Sequence, residues 1–357
     1  MIKKGGLYSA SDKAFFDALC QHKMSKPALQ ELLWRRGILK SSNCEKEYIA
    51  RYFSRLNHDY FDHKLISEKV STDSNREKQT AHFSSTPVKI DILENVAKEL
   101  IDDRKEIDNS ISFLTTAKSV QIKVSYSYYD HNKPEFKQLV TKDALISIES
   151  TSEGLVVRAP NNDYVSEITS KLLSDIEKKC GRSLNVETIS LYGVDSIEKK
   201  ISFFESLITG IDNMELHDVS DVAVFNPDTG DQNTLGVHVK RASLNGEGVL
   251  KSGELRQFYK KGFFAYRISW STVVKGNLES DVYNFQAQFN DPEFCRKFSY
   301  LVRGVRKYLS PGDYAKNPSR LSESDEIRMM RLVEQSARKA IDFVYKDNGM
   351  ENKNEED

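Results

Sequence analysis

The chain has no Cys-x-x-Cys pair, no run of apolar residues long enough to cross a bilayer, and no glycine motif of the kind that cradles phosphates. Cys20, Cys44, Cys180 and Cys295 are scattered, with no histidine at metal-ligand spacing. That pattern argues against a zinc module and against a secreted disulfide framework, and leaves reduced thiols. The stretch LNGEGVLKSG lacks the Gly-Lys-Ser/Thr of a P-loop and the spacing of a dinucleotide-binding turn, so no nucleotide cofactor is expected. No Gly-x-Ser-x-Gly elbow is present. The opening MIKKGGLYSASDK carries no apolar core of a signal peptide. The expectation is a soluble, cytoplasmic chain with no membrane partner and no cofactor.

What the sequence does have is length and unevenly placed charge. Its 357 residues suffice for a substantial core and two or three domains. The formal net charge is −1, so total charge selects no partner. Distribution says more. Residues 1–56 hold 11 Lys and Arg against 5 Asp and Glu, and residues 296–339 repeat that balance. Two cationic stretches around an acidic middle predict localised electrostatic surfaces.

The first cationic stretch contains KPALQELLWRRGILKSSNCEKEYIARYFSRL, residues 26–56. Pro27 fits a first helical turn, Leu29, Leu32, Leu33 and Trp34 form an apolar stripe, and Gly37 stops the helix. The turn Lys40-Ser41-Ser42-Asn43 is expected to cap a second helix with Tyr48, Ile49, Tyr52 and Phe53 inward. Arg35, Arg36, Lys40, Lys46, Arg51 and Arg55 are left outside. The pattern of Leu32, Leu33, Arg36, Gly37, Ile38, Ser41, Lys46, Ile49 and Arg51 resembles the SAP and HeH class of small DNA-binding helical modules. The loop is one residue longer than in that class, and its usual Ser-Gly is Ser41-Ser42 here. The resemblance covers about thirty residues and implies phosphate contacts by the six cations. A winged-helix start and an ordinary helical hairpin with a solvated basic face fit the same residues.

Along the rest of the chain, period-2 and period-3.6 patterns are mixed without strict alternation. This predicts an α+β fold. An N-terminal helical domain (1–70) is followed by a polar linker (71–86). A mixed or mainly antiparallel sheet domain with packed helices (87–309) comes next, then a C-terminal helical segment (310–346) and an acidic disordered tail (347–357). Within it, Asp291-Pro292-Glu293 reads as the start of a helix over 292–309. On that helix Arg296, Lys297, Tyr300, Arg303 and Lys307 would form a row able to track phosphates. Arg328, Arg331, Arg338 and Lys339 on the final helix extend it.

Two clusters invite a catalytic or metal reading. In HDYFDH, His58 and Asp62 are i,i+4 neighbours, as are Asp59 and His63, but no third ligand is identifiable. Asp228 followed by a strand bearing Lys240 resembles a metal-dependent nuclease arrangement, with His238 standing where a second carboxylate belongs. The expectation that follows is a non-catalytic binder of DNA, duplex rather than single-stranded, working with protein partners. Composition rich in Lys, Asn, Ile, Tyr and Phe suggests an accessory role in bacterial defence against phage or mobile DNA. The alternatives are a divergent nuclease using Asp228 and Lys240, and a protein scaffold without nucleic-acid binding.

Overall fold

The computed structural model describes residues 10–70, 76–105, 110–152, 154–227 and 240–351. In chain order the helical start is α1 (Asp12–Cys20), α2 (Lys26–Arg35), α3 (Lys46–Ser54) and α4 (Tyr60–Val70). Then come β1 (Gln79–Ser84), α5 (Ile90–Arg104), β2 (Ser110–Thr115), β3 (Ser119–Tyr129), β4 (Leu139–Thr151), β5 (Gly154–Pro160) and α6 (Asp163–Cys180). The chain continues with β6 (Glu187–Thr188), α7 (Ile197–Thr209), β7 (Met214–Phe225), β8 (Arg241–Asn245), α8 (Gly253–Lys260), β9 (Phe264–Val274), β10 (Val282–Phe289) and β11 (Phe298–Arg306). A small hairpin, β12 (Tyr308–Ser310) and β13 (Asp313–Tyr314), precedes α9 (Glu323–Glu351). Nine helices and an antiparallel sheet of eleven strands among the described residues make this an α+β protein. No helix among them is long and apolar enough to cross a membrane.

The residues sort into two compact units. The first comprises Met1–Asn75, Glu94–Thr115 and Gln121–Leu145; the second comprises Arg76–Leu93, Thr116–Val120 and Ile146–Asp357. In the first, α1 to α4 close a core of Phe15, Leu19, Leu29, Leu32, Leu33, Ile49, Phe53, Ile66 and Phe136. Ser11 caps α1 and Ser25 caps α2, each accepting from the backbone N–H three residues on. Gly37, at φ +70°, ends the turn after α2 as its sequence predicts.

In the second unit the strands run β5–β1–β11–β10–β9–β7–β8. Inward residues of β7, β9, β10 and β11 pack on α7 and α9. Along α9, Met329, Val333, Ala337, Ala340 and Val344 recur at helical spacing and are buried. The β4–β5 hairpin closes with Thr151 opposite Gly154.

Several expectations are corrected. The 71–86 segment is not a linker throughout: Gln79–Ser84 is β1, a strand interior to the sheet, paired with both β5 and β11. Only Ala81 and Phe83 point into the core, so two apolar residues among polar ones hid the strand. Residues 71–75 lie outside the described set. The expected helix over 292–309 is a turn and a strand. Phe298, Tyr300 and Val302 alternate inward, which is period 2, while Phe294 is exposed. Asp291 does act as a local cap, its carboxylate accepting from the Phe294 N–H, but Cys295 turns to φ +51° and the chain extends. The expected 347–357 tail is helical to Glu351, and the remainder lies outside the described residues.

A buried ionic cluster fixes α9 on the sheet. Arg158 on β5 meets Glu334 on α9 through Nε and Nη2 at 2.6 and 2.8 Å, and its Nη1 lies 2.7 Å from Glu149 on β4. Tyr300 donates its hydroxyl to Glu334. Arg331 closes the set on Glu149 at 2.8 Å. Burial pushes the Tyr300 hydroxyl well above its ordinary range, and the neighbouring Glu334 carboxylate pushes the same way. Burial works to raise Glu149, but Arg331 and Arg158 outweigh it and hold its carboxyl below the usual range. Glu334→Ala should therefore strand the Arg158 guanidinium and cost roughly 3–5 kcal/mol, read as a fall in the urea midpoint. Tyr300→Phe should cost less, about 1.5–3 kcal/mol, because it removes one donor to a charged acceptor but no charge.

Candidate nucleic-acid interface

The α2–turn–α3 hairpin is present as its sequence implies, but its cations are not equivalent. Arg36 is half-buried, paired with Asp62, donates to the Asn57 carbonyl at 2.6 Å and lies over Phe53. Lys46 reaches back to the carbonyls of Cys20 and Gln21 at 3.1 and 2.6 Å, satisfying the C-terminus of α1. Both are internal fasteners. Arg35 and Arg51 sit on the surface, each held by a glutamate one turn earlier, Glu31 and Glu47. Arg55 is exposed and has no carboxylate partner among the described residues. The Lys40 ammonium lies 3.9 Å from the Tyr52 ring centroid and 5.5 Å from that of Tyr48.

The hairpin also exposes rings that its sequence pattern turns inward. Trp34 is 70% exposed and Leu39 81%, and Tyr48 faces solvent. Leu29, Leu32 and Leu33 already fill the inward stripe of α2, which leaves Trp34 on its edge. Trp34, Leu39, Ile38, Pro27 and Lys40 line a shallow groove of about 400 Å³. The turn Lys40–Asn43 does not cap α3: Glu45 stands at that position and makes no side-chain cap bond. Ser41 instead accepts from the Asn43 N–H.

The HDYFDH cluster is structural. Asp59 caps α4 by accepting from the Asp62 N–H at 2.9 Å, and Asp62 is taken by Arg36. The His58 ring stacks on Phe15 and the His63 ring on Phe136, with centroids 3.8 and 4.5 Å apart. No group of three His, Cys, Asp or Glu among the described residues is placed to hold a metal ion. Burial lowers the pKa of both rings, with Arg36 adding to the effect at His58.

The second basic row does not form, because its residues alternate across β11 and the turns around it. Tyr300 is 1% exposed and cannot stack on a base. Arg296 lies between the rings of Tyr192 and Phe294, at 4.1 and 4.6 Å. Lys307 pairs with Asp281 at 2.7 Å. Lys297 and Arg303 are exposed. On α9, Arg328 pairs with Asp325, Arg331 with Glu149 and Lys339 with Asp212, while Arg338 covers the Phe83 ring.

Of the nuclease reading, Asp228 and His238 lie outside the described residues; Lys240 is exposed. The neighbouring carboxylates have structural work: Asp218 accepts from the Gly248 N–H and Asp221 pairs with Arg267. The four cysteines are free thiols, three half-buried and Cys295 buried. Burial pushes the Cys295 thiol up to about 11, so it is not an activated nucleophile.

No protein-family model matches the chain, and no curated protein does. Among solved structures, the crystal structure of DynU16, from the dynemicin biosynthetic locus, aligns at 10% identity over 76% of this chain and 99% of that one. Its TM-score is 0.19, too low to carry an argument.

The buried imidazoles give the helical unit a pH dependence. The folded state favours the neutral ring, so the His63 pKa lies below its ordinary 6.5. Its contribution is complete above 6.5 and is lost as pH falls from there through the lowered folded value. His63→Phe keeps the ring stack and deletes the titration. The variant should lose less thermal stability than the parent between about pH 7.5 and about pH 5. Equal losses in the two proteins would remove His63 as the cause.

Proposed function

We propose that the chain is a nucleic-acid-binding protein without a catalytic site of its own, and that the helical unit makes contact through the outer face of its α2–α3 hairpin. The observation that carries this reading is the pairing of a half-buried cation with rings beside exposed Tyr48 and Trp34. Lys40 lies over Tyr52 and Tyr48, beside a largely exposed Trp34. Cations neutralise phosphates and rings accept bases, so this combination suits a strand with accessible bases as well as a duplex. Lys40, Arg55, Arg35 and Arg51 are the contacts; Arg36 and Lys46 hold the module together. DNA as ligand suits a cytoplasmic protein, and an accessory place in a multiprotein system acting on foreign DNA suits a binder that cuts nothing.

A second reading is favoured by the groove at Trp34 and Leu39. Exposed apolar surface of this kind also suits a docking segment of a partner protein. In that case the chain is a scaffold and the cations only frame the groove.

Titration of labelled duplex and single-stranded DNA at several salt concentrations separates the two. Lys40→Gln with Arg55→Gln should make the log–log salt slope shallower by about 1.8 on duplex, since each lost phosphate contact removes about 0.9. Trp34→Ser should weaken single-strand binding by about 1–3 kcal/mol. Unchanged affinity and slope in the double variant would reject the hairpin as a DNA contact and favour the scaffold.

A further inference from the structure

Across β9, β10 and β11 the sheet of the second unit has two unlike faces. One is apolar and lies under α7 and α9. On the other, the outward positions of β9, β10 and β11 hold Arg267 and Ser269, Gln286 and Gln288, and Ser299 and Leu301. Register aligns them. Gln288 stands opposite both Arg267 and Ser299, and Gln286 opposite both Ser269 and Leu301. Gln79 is opposite Tyr300, which brings Lys78 alongside β11, and its ammonium reaches the Gln288 side-chain oxygen. Arg303 is the extra residue of a bulge: Val302 pairs with Phe285 and Gly304 with Asn284, so Arg303 has no partner across the strand.

This face gathers Lys78, Arg267, Lys297 and Arg303 against two carboxylates at the paired positions of β7, Asp218 and Asp221. Arg267 has Asp221, at 3.2 Å. Arg303 and Lys297 are exposed, and neither has a carboxylate partner among the described residues. Lys78 feels its neighbours: burial lowers its pKa, and the like charges of Arg267 and Arg303 lower it further. Three cations held within mutual repulsion are costly in the free protein, and an anion laid across them relieves that cost.

Between these cations the outward side chains of β9, β10 and β11 are short and polar apart from Leu301, and Ser269, Gln286 and Ser299 are themselves buried. The groups of this face that reach solvent are therefore the cations, Lys297 and Arg303 above all. Exposed cations without base-reading side chains between them suit phosphate oxygens rather than base edges.

We propose that this sheet face binds the phosphate backbone of duplex nucleic acid, independently of sequence, with Lys78, Lys297 and Arg303 as the charged contacts. The site is separate from the α2–α3 hairpin and does not depend on the reading of that hairpin.

The test uses the full chain and a labelled duplex of mixed sequence, titrated across a range of salt. Lys297→Gln with Arg303→Gln changes two exposed side chains and should leave the urea midpoint unaltered. Binding at low salt should weaken roughly tenfold or more per contact, and the salt slope should become shallower by about 1.8. Lys78→Gln alone should shift the slope by about 0.9 in the same direction. Unchanged slope and affinity in both variants overturn the proposal. So does binding to vesicles of anionic phospholipid, lost in these variants, with no binding to the duplex. Lys40→Gln with Arg55→Gln is measured in parallel. If that pair changes nothing while the Lys297/Arg303 pair flattens the slope, the sheet face stands and the hairpin reading falls. The converse result rejects the sheet face and keeps the hairpin.

Discussion

Two carboxylates and two guanidiniums, one of each on the sheet and one of each on α9, hold the second unit in one arrangement. Each ion in such a set loses hydration when α9 closes over the sheet, a penalty of several kcal/mol per ion. The geometry offsets it: Arg158 is engaged by Glu334 on one side and Glu149 on the other, and Tyr300 occupies a further lone pair of Glu334. Arg331, half exposed, supplies the second positive charge from the surface, so the set of four is neutral. Hydrophobic packing of Val333 and Ala337 would tolerate α9 sliding by a fraction of a turn. The Arg158–Glu334 fork would not, because two parallel bonds at 2.6 and 2.8 Å fix register as well as distance. With α9 fixed, the apolar face of β7, β9, β10 and β11 is covered.

The architecture was legible where period and punctuation agreed. Pro27 opens α2 and Gly37 stops it, and the glycine adopts the left-handed conformation that the stop requires. The failures share a cause. Residues 292–309 hold apolar side chains that satisfy both a period of 3.6 and, from Phe298 to Val302, a period of 2. An Asp-Pro-Glu start tipped the choice towards helix, whereas aromatic and β-branched residues at 298, 300 and 302 favoured strand. Local signals could not show that β10 was waiting to pair with this segment. β1 was missed for the opposite reason, having too few apolar residues to register.

The candidate interface was only half legible, and the reason is again partnership. Sequence identifies cations, but it does not say which are already occupied. Arg36 and Asp62 are 26 positions apart, and Lys46 finds carbonyls 25 and 26 positions earlier. Distances of that order in sequence carry no periodic signature. The same blindness worked in the other direction for Lys78 and Arg267. They lie in unremarkable surroundings along the chain, and only the register of four strands brings them together with Arg303.

β1 has a further consequence for how the protein is made. It emerges early in synthesis, yet its neighbours are β5, β6 and β11, the last more than two hundred residues later. A growing chain can form the β5 side once residues 154–160 have appeared, and β6 then meets the other edge at His82 and Phe83. The stretch of that edge about Gln79 must stay unpaired until β11 is complete. During that interval an open strand edge with a row of free amides and carbonyls is available to any other extended segment. Polar side chains at Gln79, Thr80 and His82 make that edge a poorer template for stray association. The sparse hydrophobicity that concealed β1 in the sequence thus serves the nascent chain as protection against misassembly.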